Sequence, residues 1–506
     1  MELIRKLFLV IYPCVLILGM DAWGQTETYR QAKESYQKGR YFQAAQQFFV
    51  AGKEMSALEG RSDADITISL IHSKLYNSAS YFFLKTLKQG SPQDKRRVVA
   101  HTAEIIERLG FDLIVDDLLE HTLLDYYQGA NRDHFAYALG KDLFFKGSHA
   151  GASKLFRMVR SSSYLYPFAQ FSLGATELQL NRTNQALLAF QECLKKVGSS
   201  QGGDAKVTAE EVSDLKNRCQ SGIGKAHFQA RSLNTSLEAY GDLEKKSWAW
   251  TNSLFEQAWV GYWGQDYNMA LGKLVSYKSP ILSFVLKPEI FVLRSMSYMK
   301  LCLWEDALKE LQRFRLEYIK NGREVRRELK EHFTNLQYFW VKGKKASQKK
   351  IDTLDFSERL ILPIIKSAKF RNLVAAEAGL EREYDAVRAF GDPRHPLTQF
   401  LREVLKWRSE KIAEDGGEMV LAQAYDFYRR LVTTANQMSY VRLEILSKFK
   451  EKIRKPLASN LERLRGAPFP NVSLDQYFWT FNGEFWGDEL GDYVFALQSS
   501  CLAGGN

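Results

Sequence analysis

A self-similarity of about 35 residues constrains this chain more than any other feature. From Gly39 onward the residues read G-x-Y-x-x-A-x-x-x-F-x-x-A through Tyr41, Ala44, Phe48 and Ala51. The pattern returns with substitutions at Ala79 and Phe83, Val115 and Leu119, Ala152 and Phe156, and Ala186 and Phe190. It continues at Ser236 and Tyr240, Ala270 and Leu274, and Ala307 and Leu311. The first residue of each couple marks positions 44, 79, 115, 152, 186, 236, 270 and 307, spaced by 35, 36, 37, 34, 50, 34 and 37. The long interval contains an inserted polar stretch, Gly198 to Ala209, with Ser199-Ser200-Gln201-Gly202-Gly203 inside it.

A period of this length fits two helices and two turns. A small side chain at the ruler position lets two antiparallel helices approach closely, and the large residue four positions later fills the space against the neighbouring pair. One such pair cannot bury both of its faces, so pairs stack and share a continuous core. Composition agrees: 33 glycines and 11 prolines in 506 residues are too few for a loop-rich β fold. With 45% hydrophobic and 25% charged residues, the chain is neither disordered nor fibrous.

Between about Thr26 and Lys320 these residues resemble the tetratricopeptide repeat family. Val115 and Ser236 depart from the usual alanine, and most copies lack a closing proline. The resemblance implies an all-α chain whose residues 25–320 form a right-handed α-α superhelix of about eight repeats, interrupted at 198–209. It also implies a scaffold that takes peptides or protein surfaces in a concave groove, without cofactor or chemistry.

The ends read differently. Arg5 and Lys6 precede an apolar run from Leu7 to Met20, and Ala22-Trp23-Gly24 offers small residues for a peptidase, so residues 1–24 read as a secretory signal. The expected location is outside the cytoplasm, in a bacterial periplasm. Once Cys14 leaves with the signal, Cys193, Cys219, Cys302 and Cys501 remain. Cys193 and Cys219 flank the insertion and are a disulfide candidate; the alternative is four small buried hydrophobes.

Residues 321–470 carry 30 Lys plus Arg against 20 Asp plus Glu, nearly all of the chain's net +11. Val420, Ala424, Phe427, Leu431, Thr434, Met438, Val441 and Ile445 form a heptad seam, and Leu421, Tyr425, Tyr428, Val432 and Ala435 widen it into a face that has to be covered. Leu373, Ala376, Leu380, Val387 and Phe390 offer an upstream partner helix, and Gly416-Gly417 is expected to break the helix before the seam. The expected architecture is a helical bundle or coiled-coil hairpin. Its basic clusters, with Lys344, Lys345, Lys450 and Arg454 as contact candidates, suit an anionic cell-wall polymer or lipid headgroups, or are a solvated helix face. Export disfavours nucleic acid.

Residues 471–506 hold five acids, no base and eight aromatics between Tyr477 and Phe495. Asn482-Gly483 and Tyr493 to Leu497 read as a turn and a strand, hence a small aromatic hairpin docked on the helices. Rings would dominate that docking, since a well-buried aromatic contributes about 1.5 to 3 kcal/mol and an exposed ion pair about 0 to 1. In the other reading, Trp479 and Trp486 hook a partner. This tail also resembles the ends of exported tetratricopeptide proteins associated with bacterial gliding-motility machinery.

No phosphate-cradling loop, zinc-binding His pair or nucleophile elbow occurs, and the eight histidines are scattered. The expected function is therefore an exported, non-enzymatic scaffold binding protein partners of a cell-envelope assembly, with no cofactor and no metal. The alternative is a peptidoglycan enzyme or accessory, with Glu414, Asp415 and Glu418 beside the glycine break as its acids.

Overall fold

A computed structural model describes residues 27–109, 115–198, 208–454 and 483–501. The signal, most of the insertion, and Trp479 lie outside them. The described residues are helical and contain no strand. The chain divides into two compact units: Met1–Asp142 with Met158–Ser163 and Ala368–Asp415, and Leu143–Arg157 with Tyr164–Ser367 and Gly416–Asn506.

In the first unit α1 (Glu27–Gln37) pairs with α2 (Tyr41–Glu54), and α3 (Glu59–His72) with α4 (Tyr76–Gln89). After α5 (Pro92–Val99) come α6 (Thr102–Leu109) and α7 (Val115–His121). Helix α8 (Gly129–Phe145) starts in this unit, and α9 (His149–Met158) belongs almost wholly to the second. In the second unit the pairs are α10 (Tyr166–Gln179) with α11 (Thr183–Lys196), and α12 (Ala209–Gln229) with α13 (Leu233–Gly241). They are followed by α14 (Trp248–Trp263) with α15 (Tyr267–Val275), and α16 (Glu289–Lys300) with α17 (Trp304–Phe314). This is a stack of consecutive helix pairs, an all-α repeat solenoid.

The repeat ruler has a physical counterpart. Ala44, Ala79, Ala152, Ala186, Ser236, Ala270 and Ala307 are all fully buried, as are nearly all of the large residues four positions on. Five residues before each of them the backbone turns left-handed: Gly39, Lys74, Gly147, Asn181, Arg231, Gln265 and Cys302 have φ between 57° and 79°. At each turn the same two backbone bonds close the preceding helix, as in Arg182 N–H to Glu177 O and Asn181 N–H to Leu178 O. That pair of bonds satisfies carbonyls a helix end would leave open. The eighth such position, Gly110, lies outside the described residues.

Flat rings lie directly on helix backbone. A Cβ built on Gly174 or Gly222 would come within 2.6 and 2.5 Å of the Phe190 ring, so this ring fills the space between α10 and α12. Beyond the insertion, Thr208 caps α12 in a reciprocal capping box with Glu211. Cys193 and Cys219, with Cα atoms 6.2 Å apart, are bridged between α11 and α12 in a cluster with Val197 and Leu215.

Past the pairs come α18 (Lys320–His332), α19 (Leu336–Ser347), α20 (Ala368–Phe390) and a single 59-residue helix α21 (Pro396–Arg454). Gly416 and Gly417 do not break α21. Their missing side chains instead admit neighbours: a Cβ on Gly416 would overlap the fully buried Trp340 ring, and one on Gly417 the Leu336 carbonyl. The helix accepts roughly 1 kcal/mol of lost propensity per glycine for that close approach.

The seam Val420 to Ile445 is buried at all eight positions. It is covered by elements of its own unit: Phe427 meets Phe356, Leu431 reaches Gly322, and Val441 and Ile445 pack with Leu271, Tyr298 and Ala307. The upstream row expected to cover it sits in the other unit, where α20 packs on α4 and α6. There Glu383 accepts the backbone N–H groups of Asn77 and Ser78 at 2.7 and 3.0 Å, capping the start of α4.

Candidate partner-binding surfaces

The basic clusters are partly consumed inside the chain. Lys342 pairs with Glu328, and Lys349 with Glu358 at 2.5 Å. Lys344 places its ammonium 5.3 Å from the centre of the Trp340 ring. Lys345, in the last turn of α19, and Lys450, near the end of α21, are exposed. Arg454 ends α21, and its side chain lies outside the described residues. Lys344 and Lys345 thus stand at the end of α19, and Lys450 and Arg454 at the end of α21.

The acids of the enzyme reading sit on the surface of one helix. Glu414, Asp415 and Glu418 lie on the unbroken α21, Glu414 and Glu418 are exposed, and Glu414 pairs with Lys411 at 2.5 Å. The interruption that would have set them apart is absent. Among the described residues no group of three His, Cys, Asp or Glu is placed to hold a metal ion. None of the described helices is long and apolar enough to cross a membrane.

Two other surfaces stand out. The first is the second row of α21: Tyr425 and Val432 are exposed, and the row continues into Tyr440, Leu443 and Leu446, with Tyr440 73% and Leu443 63% accessible. The sequence reading required this row to be covered. It is covered only in part: Leu421, Tyr428 and Ala435 are half-buried and Tyr425 meets the Phe333 ring, while Val432, Tyr440, Leu443 and Leu446 face outward.

The second surface carries the tail. Residues 483–501 form a strap that turns at Gly487–Gly491, with Glu489 N–H to Trp486 O at 3.2 Å and Asp492 N–H to Glu489 O at 2.9 Å, and then runs without regular structure. Tyr493 to Leu497 pair with no described strand, and the other arm of the expected hairpin lies outside the described residues. The strap lies mainly on the repeat helices α13 to α17, with the end of α21 joining at Val441 and Ile445, and not on the basic region as a whole. Leu490 is buried among Tyr240, Leu243, Trp250, Leu254 and Leu282; Phe485 and Tyr493 pack around it, and Phe495 and Leu497 pack farther along.

Polar side chains hold the strap by its backbone. Asn268 donates to Leu497 O at 3.1 Å and accepts Leu497 N–H at 3.0 Å. Lys273 donates to Gly491 O at 2.6 Å, and Ser276 accepts Gly491 N–H at 2.9 Å. Gly491 has φ 90°, a turn that glycine adopts without strain. Gly272 leaves room for the Tyr493 carbonyl, which a Cβ would displace. Burial holds the Lys273 ammonium below its ordinary pKa, opposed by Asp492. Lys245 donates to Asp488 O and pairs with Asp492 at 3.1 Å. Cys501 is disulfide-bonded to Cys302, the left-handed turn residue between α16 and α17.

Sequence reasoning missed this second bridge, although once Cys193 and Cys219 are joined only Cys302 and Cys501 remain outside the signal. Asn268, Gly272, Lys273 and Ser276 gave no signal, because their role depends on a segment more than 200 residues away. Trp486 is 60% exposed on the strap. No family model matches the chain, and no curated protein matches it significantly.

Proposed function

We propose that this chain is an exported, non-enzymatic scaffold of the tetratricopeptide repeat type that holds protein partners of a cell-envelope assembly. The observation that carries the reading is the outward row Tyr425, Val432, Tyr440, Leu443 and Leu446 beside a seam buried at every position. A single exposed apolar residue needs no explanation, but five on one face of a single helix, three of them clustered at Tyr440, Leu443 and Leu446, mark a candidate interaction surface. The repeat stack supports the same reading, since its buried positions serve packing and its outer positions are free to serve recognition. Two bridged cysteine pairs are consistent with an oxidising compartment. The exposed Lys345 and Lys450 suit anionic polymer or lipid headgroups as a secondary contact.

The test is site-specific cross-linking in cells of the source organism from a photoreactive residue at Tyr440. Discrete cross-linked partners, lost in Leu443→Asp while the melting temperature stays unchanged, are the expected outcome. Equal cross-linking in wild type and Leu443→Asp would remove the basis of the reading.

A further inference from the structure

The strap is bound in the manner of a ligand. Five side-chain hydrogen bonds, two with Asn268 and one each with Lys273, Ser276 and Lys245, go to its main chain, and a sixth joins Ser500 N–H to Leu301 O at 2.9 Å. Contacts of that kind read an extended backbone and are indifferent to its side chains. Selectivity comes from one deep seat, filled by Leu490, from aromatic neighbours, and from Lys245 and Lys273 beside Asp492. The strap's outer side, with Trp486 and Val494, stays exposed.

Its last anchor is accessible. Cys501 is exposed, whereas Cys193 and Cys219 are fully buried, so the two bridges differ in their reach to an external thiol. We propose that the face formed by α13 to α17 is a binding site for an extended, acidic and aromatic peptide of a partner protein, and that the strap is its displaceable resident, latched by Cys302–Cys501. The proposal rests on the scaffold reading and names one of its sites.

Release is a thiol–disulfide exchange with a protein or small-molecule dithiol. One of its thiolates attacks Cys501 Sγ, forming a mixed disulfide while Cys302 leaves as a thiolate. The second thiol attacks that mixed disulfide, and Cys501 leaves in turn. The dithiol ends as a disulfide, having supplied two electrons, and its two protons pass to Cys302 and Cys501. The freed strap is still tethered through the chain, so its local concentration remains high and a partner must match its chemistry to displace it.

The experiment uses the full chain and a fluorescein-labelled synthetic peptide with the sequence Glu484 to Ser499, followed by anisotropy. Oxidised wild type is expected to show no saturable binding. Cys501→Ser combined with Leu490→Asp, which unlatches and vacates the seat, is expected to bind saturably, with affinity at least tenfold weaker when Asn268→Ala is added. In Cys501→Ser alone, hydrogen exchange at the Gly491 and Leu497 amides should accelerate at least tenfold. A folded vacated variant that fails to bind the peptide overturns the site, and equal binding by latched wild type overturns the latch. Leu497→Asp serves as a second vacating variant; if both unfold, the strap is an integral part of the core and the proposal is wrong. Cross-linking from Tyr440 does not involve the strap, so a failure here is distinguishable from a failure of the scaffold reading.

Discussion

At the scale of single residues, the packing depends on atoms that are missing as much as on atoms present. Phe190 sits where both Gly174 and Gly222 leave space, so Gly222→Ala has two opposed effects. Alanine recovers up to about 1 kcal/mol of helix propensity, but its methyl must displace a buried ring, and overpacking of this kind costs about 1 to 3 kcal/mol. The clash should win, lowering the urea midpoint of the second unit; a raised midpoint would show that the ring moves freely. A second residue-scale effect concerns His134, buried in α8 with Nδ1 2.8 Å from Ala130 O. Burial holds its pKa below the ordinary 6.5. A base whose folded pKa is depressed contributes stability above its unfolded pKa and loses it as the pH falls through the window down to the folded value. The first unit should therefore weaken below pH 6.5, by at most about 1.4 kcal/mol per pH unit from this group. Melting curves at pH 7.5 and 5.5 should converge in His134→Gln relative to wild type.

At the scale of elements, the left-handed turn five residues before each small ruler residue is the device that repeats. Gly39 and Gly147 adopt it freely, whereas Lys74 and Gln265 carry a Cβ that crowds the backbone there. Lys74→Gly and Gln265→Gly should each stabilise the chain by a few tenths to about 1 kcal/mol, partly offset by the greater freedom of glycine in the unfolded chain. Equilibrium denaturation of the two single variants and the double variant checks both the sign and the expected additivity, because the turns belong to different compact units. The pairs themselves were legible from sequence because every unit repeats the same small and large positions at helical spacing. The seam of α21 was legible for the same reason. Its cover was not, because helix periodicity specifies which face is buried and says nothing of what buries it. Gly416 and Gly417 show the corresponding ambiguity: two glycines mark a helix break or a close approach, and only the presence of Trp340 and Leu336 distinguishes them.

At the scale of the whole molecule, the two disulfides link distant parts of the chain, across sequence separations of 26 and 199 residues. In the chain-entropy view the shorter closure contributes about 3 kcal/mol and the longer up to about 5. Thiol titration of the unfolded, unreduced protein should detect no free cysteine if the first 24 residues have been removed, and Cys14 alone if they are retained; any further thiol would contradict one of the bridges. The tail was expected to dock through its rings rather than its charges; its one fully buried side chain among the described residues is Leu490, with Phe485, Tyr493 and Phe495 half-buried, Trp486 exposed, and Lys245 and Asp492 forming an exposed pair. Where it docks was not predicted, nor was its form as a strap. The sequence by itself determined the all-helical stack, the register of its small and large positions and the buried face of α21, because each follows from spacing within one or two helices. The tertiary structure decided the seat of the strap, the Cys302–Cys501 latch, the close approach at Gly416 and the outward row ending at Leu446. Each of these depends on which distant surfaces meet, and the periodicity of a single segment carries no information about that.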